Sequence, residues 1–251
     1  MNNPILNLVL RIVSKVAIIT LLIPIVIALL NKKYWNSALK VIFYYIFFHF
    51  IIALLLQLIY YMIGAYKDFF VPILNRLHLT NMSFMTILAH LNIFILLGIY
   101  FTLVFKNKKV ILLVKWVSYF FVISSIINYL FIEGYNVQSV YNSITSATFC
   151  FVFSSLHLWY IFSDTDSKIQ LLKNPYYWIS LGLLIPNIVN TFMYTIGKKL
   201  EESDRYMFLL SNIFSDTVQI IGYILIAIGF YYARYTKYLP QKTTTSLPLS
   251  K

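Results

Sequence analysis

The chain predicts an all-α fold, a polytopic bundle of seven transmembrane helices, and three observations carry that prediction. Apolar residues make up 60% of the 251 and charged residues only 11%, whereas a soluble domain is nearer 45–50% apolar and about 25% charged. Seven apolar runs each approach the roughly 20 residues a helix needs to cross a bilayer. None shows the two-residue alternation of a barrel strand, and all are too long for one. A mean hydropathy of +0.77 agrees. A soluble enzyme, a nucleic-acid-binding module and a disordered chain are excluded on these grounds.

The runs are Leu10–Leu30, Val41–Ile63, Phe84–Phe105, Val110–Ile132, Ile144–Ser163, Tyr176–Gly197 and Met207–Ala233. Asn174-Pro175 marks the start of the sixth, with Asn as N-cap and Pro at the first helical position. Phe69–Leu79 is apolar but too short to span and is interrupted by Pro72 and Arg76, so it reads as an interfacial turn of helix. Residues 1–233 form the transmembrane domain. The last eighteen residues, 234–251, are rich in Thr, Ser, Pro and Lys and are expected to be a disordered basic cytoplasmic tail, since such a composition cannot bury a core.

The net charge of +12 sits in short clusters between the runs, as topology signals do, so lipid and not nucleic acid is the expected partner. With the amino terminus outside, twelve Lys and Arg fall on the inner side, among them Lys32, Lys33, Lys40, Lys106, Lys108 and Lys109, against seven outside. The positive-inside rule therefore favours N-out and C-in. Arg11 and Lys15 ahead of an apolar run would start a signal peptide inside, but no small-x-small cleavage site precedes Asn31. Trp35, Trp116, Trp159 and Trp178 all fall near the inner boundary, as an aromatic belt would place them. Cys150 lies within an apolar run without an intrachain partner and reads as a small buried hydrophobe.

Polar side chains inside spans are costly and mark functional candidates. Gln57, His90, Asn128, Asn190 and Asp216 come from five different spans and fall roughly 6–14 Å below the outer interface at 1.5 Å per residue. On the seventh span Asn212, Asp216, Gln219 and Tyr223 share one face at 4-3-4 spacing. Ser215, Gly222 and Gly229 form a neighbouring seam of small residues that admits another helix. The sixth span answers with Asn187, Asn190 and Tyr194, just after a Pro186 expected to kink it and open space. A polar pocket open to the outside is expected there, with Asp216 facing His90. The competing reading is that these amides are interhelical glue. His49 and His157 read as hydrogen-bonded structural residues, and Lys115 as snorkelling inward.

No lysine in the seventh span is available for a retinal Schiff base. Three intraspan histidines at mismatched depths do not make a zinc hydrolase, and one intraspan acid does not make a carboxylate pair. The Pro-Gln signature of sugar-transporter-like repeats is absent from the spans. No catalytic residue, metal site or cofactor is expected, and the chain does not read as an enzyme.

The run NPYYWISLGLLIPNIVNTFMYTIGKKL followed by LLSNIFSDTVQIIGYILIAIGFYYARY resembles the carboxy-terminal half of seven-helix integral membrane proteins of Bacteroidota. Those are similar to the membrane modules found with, or fused to, sensor histidine kinases. The matching positions are Asn174, Pro175, Trp178, Gly182, Asn190, Asn212, Tyr223, Ala227 and Gly229. Pro186 and Asp216 depart from the pattern. The resemblance covers the last third of the chain and implies a signalling association in a bacterial inner membrane. The expected function is a sensory module that takes a small extracellular or membrane ligand and acts through a separate cytoplasmic signalling protein. The alternative is a small-solute or ion transporter using the cavity around Asp216.

Overall fold

In the computed structural model, residues 4–76, 85–134, 139–163 and 171–238 are described. Seven helices among them are long and apolar enough to cross a membrane, so the chain is a multi-pass α-helical membrane protein. They are α1 (Pro4–Leu30), α2 (Ser37–Ala65), α3 (Thr86–Val104), α4 (Lys108–Ile132), α5 (Val140–Ser163), α6 (Pro175–Ser203) and α7 (Arg205–Tyr231). The bundle end where α1 starts is called the amino-terminal face below, and the opposite end, where α7 finishes, the carboxy-terminal face.

Helix starts follow local chemistry. Asn36, Asn107, Asn174 and Asp204 cap α2, α4, α6 and α7 by accepting hydrogen bonds from backbone N–H groups of the first turn, which have no partner inside the helix. A short helix, Lys67–Arg76, follows α2 and holds Pro72 within it, as expected of an interfacial segment. Beyond Arg76, the expected stretch to Leu79 lies outside the described residues.

Three spans are irregular. The α-helical ladder of α1 breaks at Leu21, three residues before Pro24, which cannot donate to the preceding turn. A π-helical turn occupies Ile93–Leu97 in the middle of α3, and another, Asn128–Ile132, ends α4. Such turns carry one extra residue and occur disproportionately at functional sites.

Each of α1, α6, α5, α3 and α2 packs along its neighbours, with α7 joining α1 to α6, α5 joining α6 to α3, and α2 joining α3 back to α1. The fourth span lies against α3 and shows lipid Leu112, Leu113, Trp116, Tyr119, Phe120 and Ile123. The tightest pair is α6–α7. A Cβ added at Gly182 would lie 2.6 Å from the Gly222 carbonyl oxygen, one at Gly229 2.6 Å from Ile179 Cγ1, and one at Gly222 would collide with the Pro186 ring. The small-residue seam thus receives α6, and Pro186 fills the space beside Gly222. Its expected opening of a cavity is corrected here: the glycine surface closes on the proline ring.

Toward the carboxy-terminal face the interior is aromatic. Phe94, Tyr100, Phe101 and Phe230 are fully buried. Phe149 meets Phe153 edge-to-face at 4.9 Å and Phe94 edge-to-face at 5.5 Å, and Phe105 meets His157 at 5.5 Å. The helical path also runs past the expected boundary at residue 233 into a 3-10 turn, Tyr232–Tyr238. Within it the Tyr232 and Tyr235 rings meet at 5.9 Å.

Candidate functional site

The five-helix polar layer divides into two clusters, one on α1, α6 and α7 and one on α2 to α5. In the first, Asp216 accepts a 2.5 Å hydrogen bond from the Ser14 hydroxyl of α1. Ser14, not His90, is the observed partner. The correction has a plain cause: α1 packs along α7, while His90 on α3 belongs to the other side of the bundle. Asn190 ties α6 to α7 twice, accepting from Ser215 at 2.6 Å and donating to Gln219 at 3.4 Å. Tyr223, on the same face of α7, is buried. Asn187 and Asn212 donate instead to carbonyls of their own helices, Leu183 at 2.6 Å and Phe208 at 2.8 Å. Between α6 and α7 lies an open groove of about 340 Å³ lined by Val189, Phe192, Met193, Leu210, Ser211 and Phe214. It is apolar and holds none of the expected pocket residues.

The second cluster is deeper. His90 Nδ1 lies 3.1 Å from Ser146 Oγ, and that hydroxyl donates its one proton to the Ser143 carbonyl at 3.0 Å. Asn142 Nδ2 reaches the Ser125 carbonyl at 3.4 Å, and on α2 the His49 ring lies 6.0 Å from that of Tyr45, whose carbonyl accepts from Asn92 of α3 at 3.1 Å. Three buried atoms here have no hydrogen-bond partner: His49 Nδ1, Ser125 Oγ and Asn142 Oδ1. Each unsatisfied buried group costs about 1–3 kcal/mol, a heavy sum against a net stability of about 5–15 kcal/mol. The two π-helical turns flank this cluster, one just after His90 and one beginning at Asn128.

Its end toward the amino-terminal face is closed by Glu133. That carboxylate accepts from Ser139 Oγ, from Asn128 Nδ2 at 2.8 Å and from the backbone N–H of Tyr141 at 3.2 Å. Burial pushes the Glu133 carboxyl up, but these bonds and one from the Val140 N–H outweigh it and hold it below the usual range. Asn128 also donates to Ser139 at 2.9 Å, so the π-turn of α4 and the start of α5 are latched together.

Of the sequence candidates, Asp216, Asn190, Gln219 and Tyr194 come together, His90 and Asn128 come together elsewhere, and Gln57 is exposed on α2, away from both. Ser14, Ser125, Ser139, Asn142, Ser146 and Glu133 were missed, and His49 was read only as structural. One signal was legible. Ser139, Asn142, Ser143, Ser146, Cys150, Ser154 and His157 fall on one stripe at three- and four-residue spacing and are all buried, the same pattern that singled out the seventh span. At the far end of that stripe His157 Nδ1 lies 2.7 Å from Ser180 Oγ.

Fold and site together define a polytopic α-helical membrane protein with two separate polar clusters inside its bundle. No known protein family, curated protein or solved structure matches this chain.

Proposed function

We propose that the protein is a seven-helix sensory module that holds a small polar ligand between α2, α3, α4 and α5 and passes its presence to a separate signalling protein at the opposite face. The observation that carries this reading is the set of partnerless buried atoms, His49 Nδ1, Ser125 Oγ and Asn142 Oδ1. Polar atoms without a protein partner on three helices suit a guest that carries both donor and acceptor groups. With the amino terminus outside, the Glu133 latch is the gate on the outer side. The aromatic layer beneath, Phe94, Phe101, Phe149 and Phe153, is packed ring against ring, which favours reception over transport. The signalling partner takes the class that the carboxy-terminal resemblance implies, a histidine kinase.

The test is a thermal-shift screen of the purified protein with small amides, amines, sugars and amino acids, run beside Asn142→Leu. A ligand present at 100 times its Kd stabilises by about 2.7 kcal/mol, so a true ligand should raise the parent's Tm and leave the variant's unchanged. Proteoliposome uptake then separates the roles: a ligand that stabilises but is not accumulated supports sensing, and one carried across the bilayer refutes it.

A further inference from the structure

At the carboxy-terminal face, three chain segments bring cations together over tyrosine rings. Lys173, just before α6, places Nζ 5.9 Å from the Tyr235 ring centre, and Arg234 places its guanidinium carbon 5.1 Å from that ring and 5.5 Å from Tyr231. Lys33, in the α1–α2 connection, stands 4.9 Å over Tyr34. The Tyr34 carbonyl accepts from Thr236 at 3.3 Å, which joins the two platforms. Lys173, Arg234 and Lys33 are exposed. None forms an ion pair with a carboxylate among the described residues; the described ion pair, Arg205–Glu201, is at the opposite face.

Lys173 and Arg234 both approach the Tyr235 ring, and like charges gathered at one ring repel. A ring face attracts each cation but leaves their mutual repulsion standing. An anion seated between them relieves it, and a guanidinium offers paired donors matched to phosphate oxygens. The amino-terminal end of α6, 29 residues long, begins two residues after Lys173 and adds positive potential on the same side.

We infer that Lys173, Arg234 and Lys33 form a phosphate-binding site, which takes the headgroup of an anionic phospholipid or a free phosphate group. Tyr231, Tyr232 and Tyr235 surround it at the end of α7, and amphipathic rings of this kind suit a headgroup interface. This inference does not depend on the ligand pocket between α2 and α5.

The experiment is native mass spectrometry of the full chain titrated with phosphatidylglycerol, phosphatidylcholine and, separately, inorganic phosphate. One phosphatidylglycerol should bind in preference to phosphatidylcholine. Lys173→Gln with Arg234→Gln should weaken that binding by about fivefold for each charge removed, the equivalent of about 1 kcal/mol per charge at a lipid surface. Lys173→Arg with Arg234→Lys should retain it, which separates loss of charge from loss of fold. Lys108→Gln with Lys109→Gln removes the same charge at the same face without the tyrosine platform and should leave binding unchanged. Displacement of the lipid by millimolar inorganic phosphate would assign the site to a free phosphate, and its absence to the headgroup. Equal weakening by both double variants, or none by the first, overturns the site.

Discussion

Replacing Gly222 with alanine tests the tightest contact in the bundle. The added methyl would collide with the Pro186 ring and lie 2.7 Å from the Gly182 carbonyl oxygen, where ordinary contacts begin near 3.4 Å. Neither neighbour can yield by rotating: one is a closed ring and the other is backbone. The helices must therefore separate, and overpacking of this kind costs about 1–3 kcal/mol. Alanine also gains up to about 1 kcal/mol over glycine in a helix, so the net loss should be about 1–2 kcal/mol. Separation would also stretch the 3.4 Å Asn190–Gln219 bond beyond hydrogen-bonding range. Gly64→Ala is the control, because nothing lies within 4 Å of its new methyl; it should be neutral or slightly stabilising. The chain's one cysteine, Cys150, is 1% exposed, so a thiol-reactive dye reports unfolding directly in a detergent melt. Gly222→Ala should lower the midpoint by about 5 °C while Gly64→Ala does not. Equal midpoints for Gly222→Ala and the parent would refute the packing argument.

The Asp216 pair gives opposite expectations for its two partners. Ser14→Ala strips a half-buried carboxylate of its donor and should destabilise by about 1–3 kcal/mol, whereas Asp216→Asn should match or exceed the parent in the same melt. If Asp216 carries a proton or cation, Asp216→Asn should also abolish the response or transport at unchanged stability. Glu133, whose folded carboxyl is held below the usual range, contributes stability that is present above about pH 4.3, the ordinary glutamate value, and is lost as the pH falls through its folded value. Glu133→Gln should flatten the acid limb of a stability–pH curve, and an unchanged limb would count against the latch. Reporter fusions after Arg234 should be active with a cytoplasmic reporter and silent with a periplasmic one; the reverse pattern overturns N-out.

The polar positions show where reading the sequence reached its limit. The stripe on α7 was legible because Asp216 is charged and its neighbours follow helical spacing. The stripe on α5 follows the same spacing, yet serine and cysteine are cheap inside a bundle, so Ser139, Asn142 and Ser146 raised no alarm. Depth alone also misled. Gln57 lies at the level of the other polar groups, but residues at one depth can face opposite sides of a helix, and it faces outward. Glu133 stands just beyond Ile132, the expected end of its span, where no polar candidate is sought. Only the extra residue of the π-turn and the start of α5 turn it back over Asn128 and Ser139.

Hydrophobic length and the need of every backbone N–H and C=O for an internal partner in hydrocarbon were enough, from sequence alone, to determine seven helices, their approximate bounds and the caps Asn174 and Pro175. Helical periodicity was enough to find the glycine seam of α7, because that seam is a property of one helix. Which helix enters the seam, whether Pro186 opens or fills space, and that Asp216 meets Ser14 while His90 meets Ser146, were decided by tertiary structure. Those contacts join residues up to 202 positions apart. In a membrane every helix face is apolar enough to meet any other, so hydrophobicity does not select the neighbours, and only the close fit of small residues and paired polar groups does.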